Sequence, residues 1–240
     1  MNEGDSWYQV FPPNISLLKC DLGKDAQEYL WKQVEDAKIN KKNANQYLAG
    51  NISESLYLED ANDYFFINHL KEPCEKYIQQ HYSASSFRNA FSNVGCSDLV
   101  LQEFWVNFSK QTEFNPVHSH GGALSFVIWM QIPTKSQEQH DLPISKNTSS
   151  PVSSDFQFLY TDILGSIQPM SWPMDPEISG TMVVFPAMLA HQVYPFFESD
   201  GTRISISGNL YFSTKVLKES IINKSNIDYS RGAPIHKNML

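Results

Sequence analysis

From Leu99 to Phe212 the chain is a succession of short β-rich runs divided by glycine, proline and small polar residues. Leu99 to Phe108, Ala123 to Ile132, Phe156 to Tyr160, Gly180 to Phe185, His191 to Tyr194 and Thr202 to Phe212 each have strand length. β-Branched and aromatic residues fill them, as strands prefer. Runs this short cannot bury an apolar face alone. They must pair into sheets that stack, which predicts a sandwich or jelly roll.

The first part reads differently. Ala26, Leu30, Val34 and Ala37 recur at helical spacing within residues 24–38. A second helix is expected over 61–82, with Tyr64, Ile67, Leu70, Cys74, Tyr77 and Ile78 on its apolar side. Pro73 falls inside it and predicts a kink or a break. The fold expected is therefore mainly β with N-terminal helices. The division expected is a helical and extended segment at 1–98 packing on the core, a β core at 99–217 and a polar tail at 218–240. Trp7 to Phe11 reads as an extended piece, and the Ser-, Gln-, Asn- and Pro-rich stretch Thr134 to Ser154 reads as an exposed loop or lid.

Composition narrows the function. With 41% hydrophobic and 18% charged residues, 240 residues suffice for a packed core. A net charge of -8 argues against a nucleic-acid backbone or an anionic membrane as the main partner. No apolar run reaches membrane-spanning length, and Met1 to Val10 lacks a signal-peptide pattern. Cys20, Cys74 and Cys96 are dispersed, which fits reduced thiols and a cytoplasmic protein, the cytoplasm of an infected host cell included. Oligomeric state is left open.

Chemistry concentrates in two places. Asn115-Pro116-Val117-His118-Ser119-His120-Gly121-Gly122 sets two imidazoles two residues apart, and on a strand that spacing gives them one face. His191 follows from a distant strand. Three neutral imidazoles on one side of a transition metal leave other positions free for reactants. Pro195 and Gly201 suggest a hairpin that would place Val193 opposite Arg203, so that Arg203 and Ser205 share the face of His191. Arg203 then offers a fork for a short dicarboxylate, with the Ser205 hydroxyl beside it. Asn107, if it faces inward, offers an amide to the co-substrate or substrate.

The order His118-Ser119-His120, His191, Arg203-Ile204-Ser205 resembles the iron(II)- and 2-oxoglutarate-dependent oxygenase superfamily over about residues 100–213. It is more closely similar to the phage and bacterial branch whose motif reads HxH. The resemblance implies a double-stranded β-helix, a distorted jelly roll. It implies Fe(II), 2-oxoglutarate and O₂ as cofactor and reactants, with His118, His120 and His191 as ligands and Arg203 and Ser205 as the 2-oxoglutarate clamp. The family's usual triad has a carboxylate where His120 stands, and Glu103, Glu113 and Asp162 are candidate substitutes. Hydroxylation of a small-molecule or peptide substrate is the expected outcome. Two alternatives stand beside it: a three-His dioxygenase of cupin type without 2-oxoglutarate, and a jelly-roll binding module with no activity.

Overall fold

The computed structural model describes residues 14, 16–81 and 98–213. Trp7 to Phe11, Cys96 and the 218–240 tail lie outside the described residues. Ten strands run in chain order: β1 (Leu18–Asp21), β2 (Glu54–Tyr57), β3 (Asp98–Ser109), β4 (Asn115–His118), β5 (Leu124–Gln131), β6 (Phe156–Thr161), β7 (Ile167–Trp172), β8 (Thr181–Pro186), β9 (His191–Val193) and β10 (Arg203–Ser213). They form a six-stranded sheet of order β1-β8-β5-β10-β3-β2 and a four-stranded sheet of order β4-β9-β6-β7. Every pairing is antiparallel. Two stacked antiparallel sheets with long-range strand order make the jelly roll, the double-stranded β-helix that the strand pattern and the resemblance imply.

Period-2 alternation decides which face does what. On β5, Phe126, Ile128 and Met130 join one apolar cluster, whereas Val127 and Trp129 join another. The first cluster also holds Ile204, Ile206 and Leu210 of β10, and it is closed by helices. Helix α1 (Lys24–Asn40) buries Ala26, Leu30, Val34 and Ala37 there, and helix α2 (Lys71–His81) buries Cys74 and Tyr77. The second cluster fills the space between the sheets, with Phe156, Phe158, Val183 and Phe185. The larger sheet is thus largely apolar on both faces, while Asn107 of β3 and Arg203, Ser205 and Ser207 of β10 line the cavity between the sheets. No helix among the described residues is long and apolar enough to cross a membrane.

Several details differ from the sequence reading. The second helix is preceded by a π-turn over Phe66–Leu70. Pro73 has no N–H for the carbonyl four residues back, so the turn before it widens instead of breaking. The Thr134–Ser154 stretch carries a one-turn helix, α3 (Ser136–His140), and is tethered. Gln139 exchanges two hydrogen bonds with the Phe197 backbone, and Asp175 accepts from Ser136 N–H and Oγ–H. The expected β9–β10 hairpin does not form: β9 pairs with β4 and β6, and β10 with β3 and β5. Pro195 ends β9, and the following loop crosses to the other sheet. Arg203 therefore faces Tyr194 across the sandwich, not along a sheet.

Gly208 marks a tight approach inside the larger sheet. A Cβ there would stand 2.6 Å from the Glu103 carbonyl and 2.7 Å from the Phe126 ring. Gly208→Ala is expected to cost about 1–3 kcal/mol, as overpacking of a filled core does. The check is a lowered urea midpoint with an unchanged slope; an unchanged midpoint would mean that Phe126 yields freely.

Candidate metal centre

The site begins with a strand pairing. In the β4–β9 ladder, His118 lies opposite His191. His120 is not on the strand: β4 ends at His118, and the His120 N–H donates to the Ala187 carbonyl at 2.8 Å in the turn that follows. The two-residue spacing therefore works by a strand end and a turn, where a continuous strand was expected. The outcome is the same convergence. One nitrogen from each of His118, His120 and His191 lies within 4.8 Å of the others.

Backbone carbonyls orient two of the rings. His118 Nδ1 lies 2.7 Å from the Pro116 carbonyl and His191 Nδ1 lies 2.9 Å from the Leu189 carbonyl. A carbonyl only accepts, so each Nδ1 carries the proton and each Nε2 keeps its lone pair. His120 Nε2 and His191 Nε2 stand 3.2 Å apart. Nitrogens bound to one ion at roughly 2.1 Å each have about that spacing. The donor set therefore fits a transition metal.

The rings are held neutral. Burial lowers the His118 pKa, pushes His120 down to about 4 and pushes His191 down to about 3; neighbouring His118 adds to the last two shifts. Phe156 stacks on His191 at 5.6 Å, and Phe185 meets it edge-on at 5.0 Å. Trp105 sits 5.8 Å from the His120 ring. Neutral imidazoles in an apolar shell are ready to bind a metal without first losing a proton.

No carboxylate joins the cluster among the described residues. Glu103 accepts from Asn209 and, at 3.3 Å, from Tyr211. Glu113 accepts from the backbone N–H groups of Ser53 and Lys110. Asp162 closes its own hairpin through Leu164, Ser166 and Gln168. All three candidate substitutes are engaged elsewhere, and among the described residues the third side chain that converges with His118 and His191 is His120.

Arg203, Ser205 and Asn107 line the same cavity as the three histidines. Ser205 and Asn107 are cross-strand partners, and Asn107 Oδ1 accepts from Ser55 Oγ at 2.7 Å. Arg203 is 3% exposed. Its Nη2 donates to the Ser154 carbonyl at 3.0 Å and to Ser154 Oγ at 2.7 Å, and its Nη1 donates to the Tyr194 carbonyl at 3.3 Å. Burial lowers its pKa to about 10, with Asp155 opposing, so the charge persists at neutral pH. Its Nε is buried and has no hydrogen-bond partner. An orphaned guanidinium N–H is costly to leave unmade and suits a carboxylate ligand. Sequence reasoning missed Ser154 and the Tyr47 to Ile52 wall of the cavity. Ser154 adopts a positive φ of 75° that no sequence pattern announces. The wall is too irregular to carry a periodic signal.

A family match agrees with this chemistry. Residues 103–209 match the family described as "Putative 2OG-Fe(II) oxygenase". Among solved structures, the chain is similar to a Pseudomonas putida prolyl-4-hydroxylase, with 13% identity, a TM-score of 0.41 and coverage of 82% of this chain and 93% of that one. It is also similar to a Trichoplax adhaerens prolyl hydroxylase solved with a hypoxia inducible factor peptide fragment, with 12% identity, a TM-score of 0.48 and coverage of 86% and 87%. A viral collagen prolyl hydroxylase from Paramecium Bursaria Chlorella virus-1 gives 12% identity, a TM-score of 0.39 and coverage of 81% and 94%. No curated protein matches the chain.

The depressed histidine pKa values set an acid dependence. In the unfolded chain each imidazole takes a proton near pH ~6.5, whereas folded His120 and His191 resist to about 4 and about 3. Between those values the unfolded state binds more protons, so stability falls as pH falls through the window. In metal-free protein, the urea midpoint should drop between pH 7 and pH 5, and drop less in His191→Gln. Equal drops would mean that His191 is not held neutral.

Proposed function

We propose that this chain, which over residues 103–209 belongs to the 2OG-Fe(II) oxygenase family, is an Fe(II)- and 2-oxoglutarate-dependent hydroxylase whose metal ligands are His118, His120 and His191. One observation carries the assignment of residues: three imidazole nitrogens converge in the cavity that also holds a buried Arg203 with an unmade Nε–H bond. Bound Fe(II) supplies the oxidation, consuming O₂ and 2-oxoglutarate and releasing succinate and CO₂.

The protein's own groups set the geometry for that chemistry. The Pro116 and Leu189 carbonyls fix two rings in the tautomer that leaves Nε2 free. Arg203 binds the distal carboxylate of the dicarboxylate through Nε–H, and the Ser205 hydroxyl donates beside it. Asn107, held through Oδ1 by Ser55, turns its amide donors toward the co-substrate or substrate. Phe156, Phe185 and Trp105 keep water from the metal's neighbourhood. The catalytic unit is the 99–217 segment, with the preceding residues lending edge strands and the helical cover. The substrate is a small molecule or a peptide.

The all-histidine donor set favours one other reading, a three-His dioxygenase that does not use 2-oxoglutarate and holds a substrate carboxylate on Arg203 directly. The test is succinate formation from 2-oxoglutarate under air with Fe(II) and ascorbate. Wild type should form succinate even without a primary substrate. His191→Ala should abolish it, and Arg203→Lys should raise the KM for 2-oxoglutarate about tenfold by losing the free Nε–H donor and the guanidinium's anchoring on Ser154 and Tyr194. Iron binding without succinate would favour the other dioxygenase, and succinate unaffected by His191→Ala would overturn the assignment of ligands.

A further inference from the structure

The cavity has a closed end and an open one. Arg203, His191 and Trp129 are 3%, 4% and 1% exposed, whereas Tyr47 lines the same cavity at 46%. Ala49 and Ser119 also line it and are exposed. A side chain that both lines a cavity and meets solvent marks its mouth. The mouth therefore lies between the Tyr47–Gly50 loop and the Ser119 turn beside the histidines, and the dicarboxylate's Arg203 lies at the floor.

The loop is built as a fixed wall. Asn45 Nδ2 donates to the Ile52 carbonyl at 2.6 Å, and Asn45 Oδ1 accepts from the Ser55 N–H at 2.8 Å. The Asn51 N–H donates to the Phe114 carbonyl at 2.8 Å, which ties the loop to the start of β4. Gly50 is packed so closely that a Cβ would stand 2.8 Å from Asn115 Oδ1 and 3.0 Å from Ile52 Cδ1. The entrance is thus preformed, and its lining decides what enters.

That lining carries one formal charge. Among the described residues no Lys, Asp or Glu lines the cavity, and Arg203 is its one charged side chain. The three histidines are the proposed metal ligands, with their nitrogens converging on one point. An entering cation would meet a metal ion and find no carboxylate. An entering anion would be drawn to the metal and Arg203 and would displace 2-oxoglutarate. A neutral aliphatic group pays neither penalty and gains by leaving water for Tyr47, Ile52 and Trp105.

We infer that the primary substrate presents an uncharged, mainly apolar group to the metal, entering between the Tyr47–Gly50 loop and Ser119. The inference rests on the oxygenase reading above. It is tested with protein loaded with Mn(II) and saturating 2-oxoglutarate under nitrogen, by paramagnetic relaxation of the methyl protons of three probes that share one isobutyl shape. These are isovaleramide, isovalerate and isopentylammonium.

At equal concentration the amide should be relaxed at least tenfold more strongly than either ion. Ala49→Glu, at an exposed position, should move the preference toward isopentylammonium. Equal or greater relaxation of a charged probe in wild type, or relaxation of none, overturns the inference. A capped Gly-Leu-Gly peptide carries the same isobutyl group: relaxation stronger than the amide's points to a peptide carrier and weaker to a small molecule, and both uphold the neutral group. Failure of Mn(II) to bind, read separately from water-proton relaxation, overturns the oxygenase reading and this inference with it.

Discussion

The pairing of β4 with β9 is the constraint on which the site depends. It sets His118 opposite His191 on the inner face of the smaller sheet. The turn closed by the His120 N–H and the Ala187 carbonyl then swings a third ring to within 3.2 Å of His191. Short strands fix such distances well, because a cross-strand pair is held by backbone hydrogen bonds on both sides. The larger sheet answers from across the sandwich. Its β10 alternates isoleucines toward the helices with Arg203, Ser205 and Ser207 toward the cavity. One period-2 strand thus supplies both the helix-facing core and the polar floor of the cavity.

Charge is handled by burial and by partners. The imidazoles stay neutral because water is kept from them. Arg203 keeps its charge because two backbone carbonyls and a hydroxyl accept its Nη protons. Behind it lies Asp155, 2% exposed and 2.9 Å from His140 of α3. Burial raises the Asp155 pKa, and the His140 contact draws it back. The polar 134–154 stretch, which the sequence marks only as a loop, therefore holds Arg203 in place through Ser154.

What was legible in the sequence was whatever repeats. The apolar strands β3, β5, β6, β8, β9 and β10 announce themselves by β-branched and aromatic runs, and α1 by its four-residue period. The strands that escaped are short, polar or at sheet edges: Leu-Lys-Cys-Asp in β1, Glu-Ser-Leu-Tyr in β2 and Ile-Gln-Pro-Met-Ser-Trp in β7. Edge strands need bury only one face, so they lose the apolar signal. The hairpin expected between His191 and Arg203 does not form because Pro195 starts a crossing to the other sheet. The three histidines and Arg203 were legible as a set even so, since the motif order survives the wrong route between them. The Tyr47 loop was not, because its role comes from where two sheet edges approach.

The most direct test of the central claim is X-ray absorption at the iron edge of the Fe(II)-loaded protein with 2-oxoglutarate. Three imidazole rings should appear in the outer-shell scattering, falling to two in His120→Ala. Two rings with an added carboxylate oxygen in wild type would contradict a three-histidine centre and return the third position to an acidic residue.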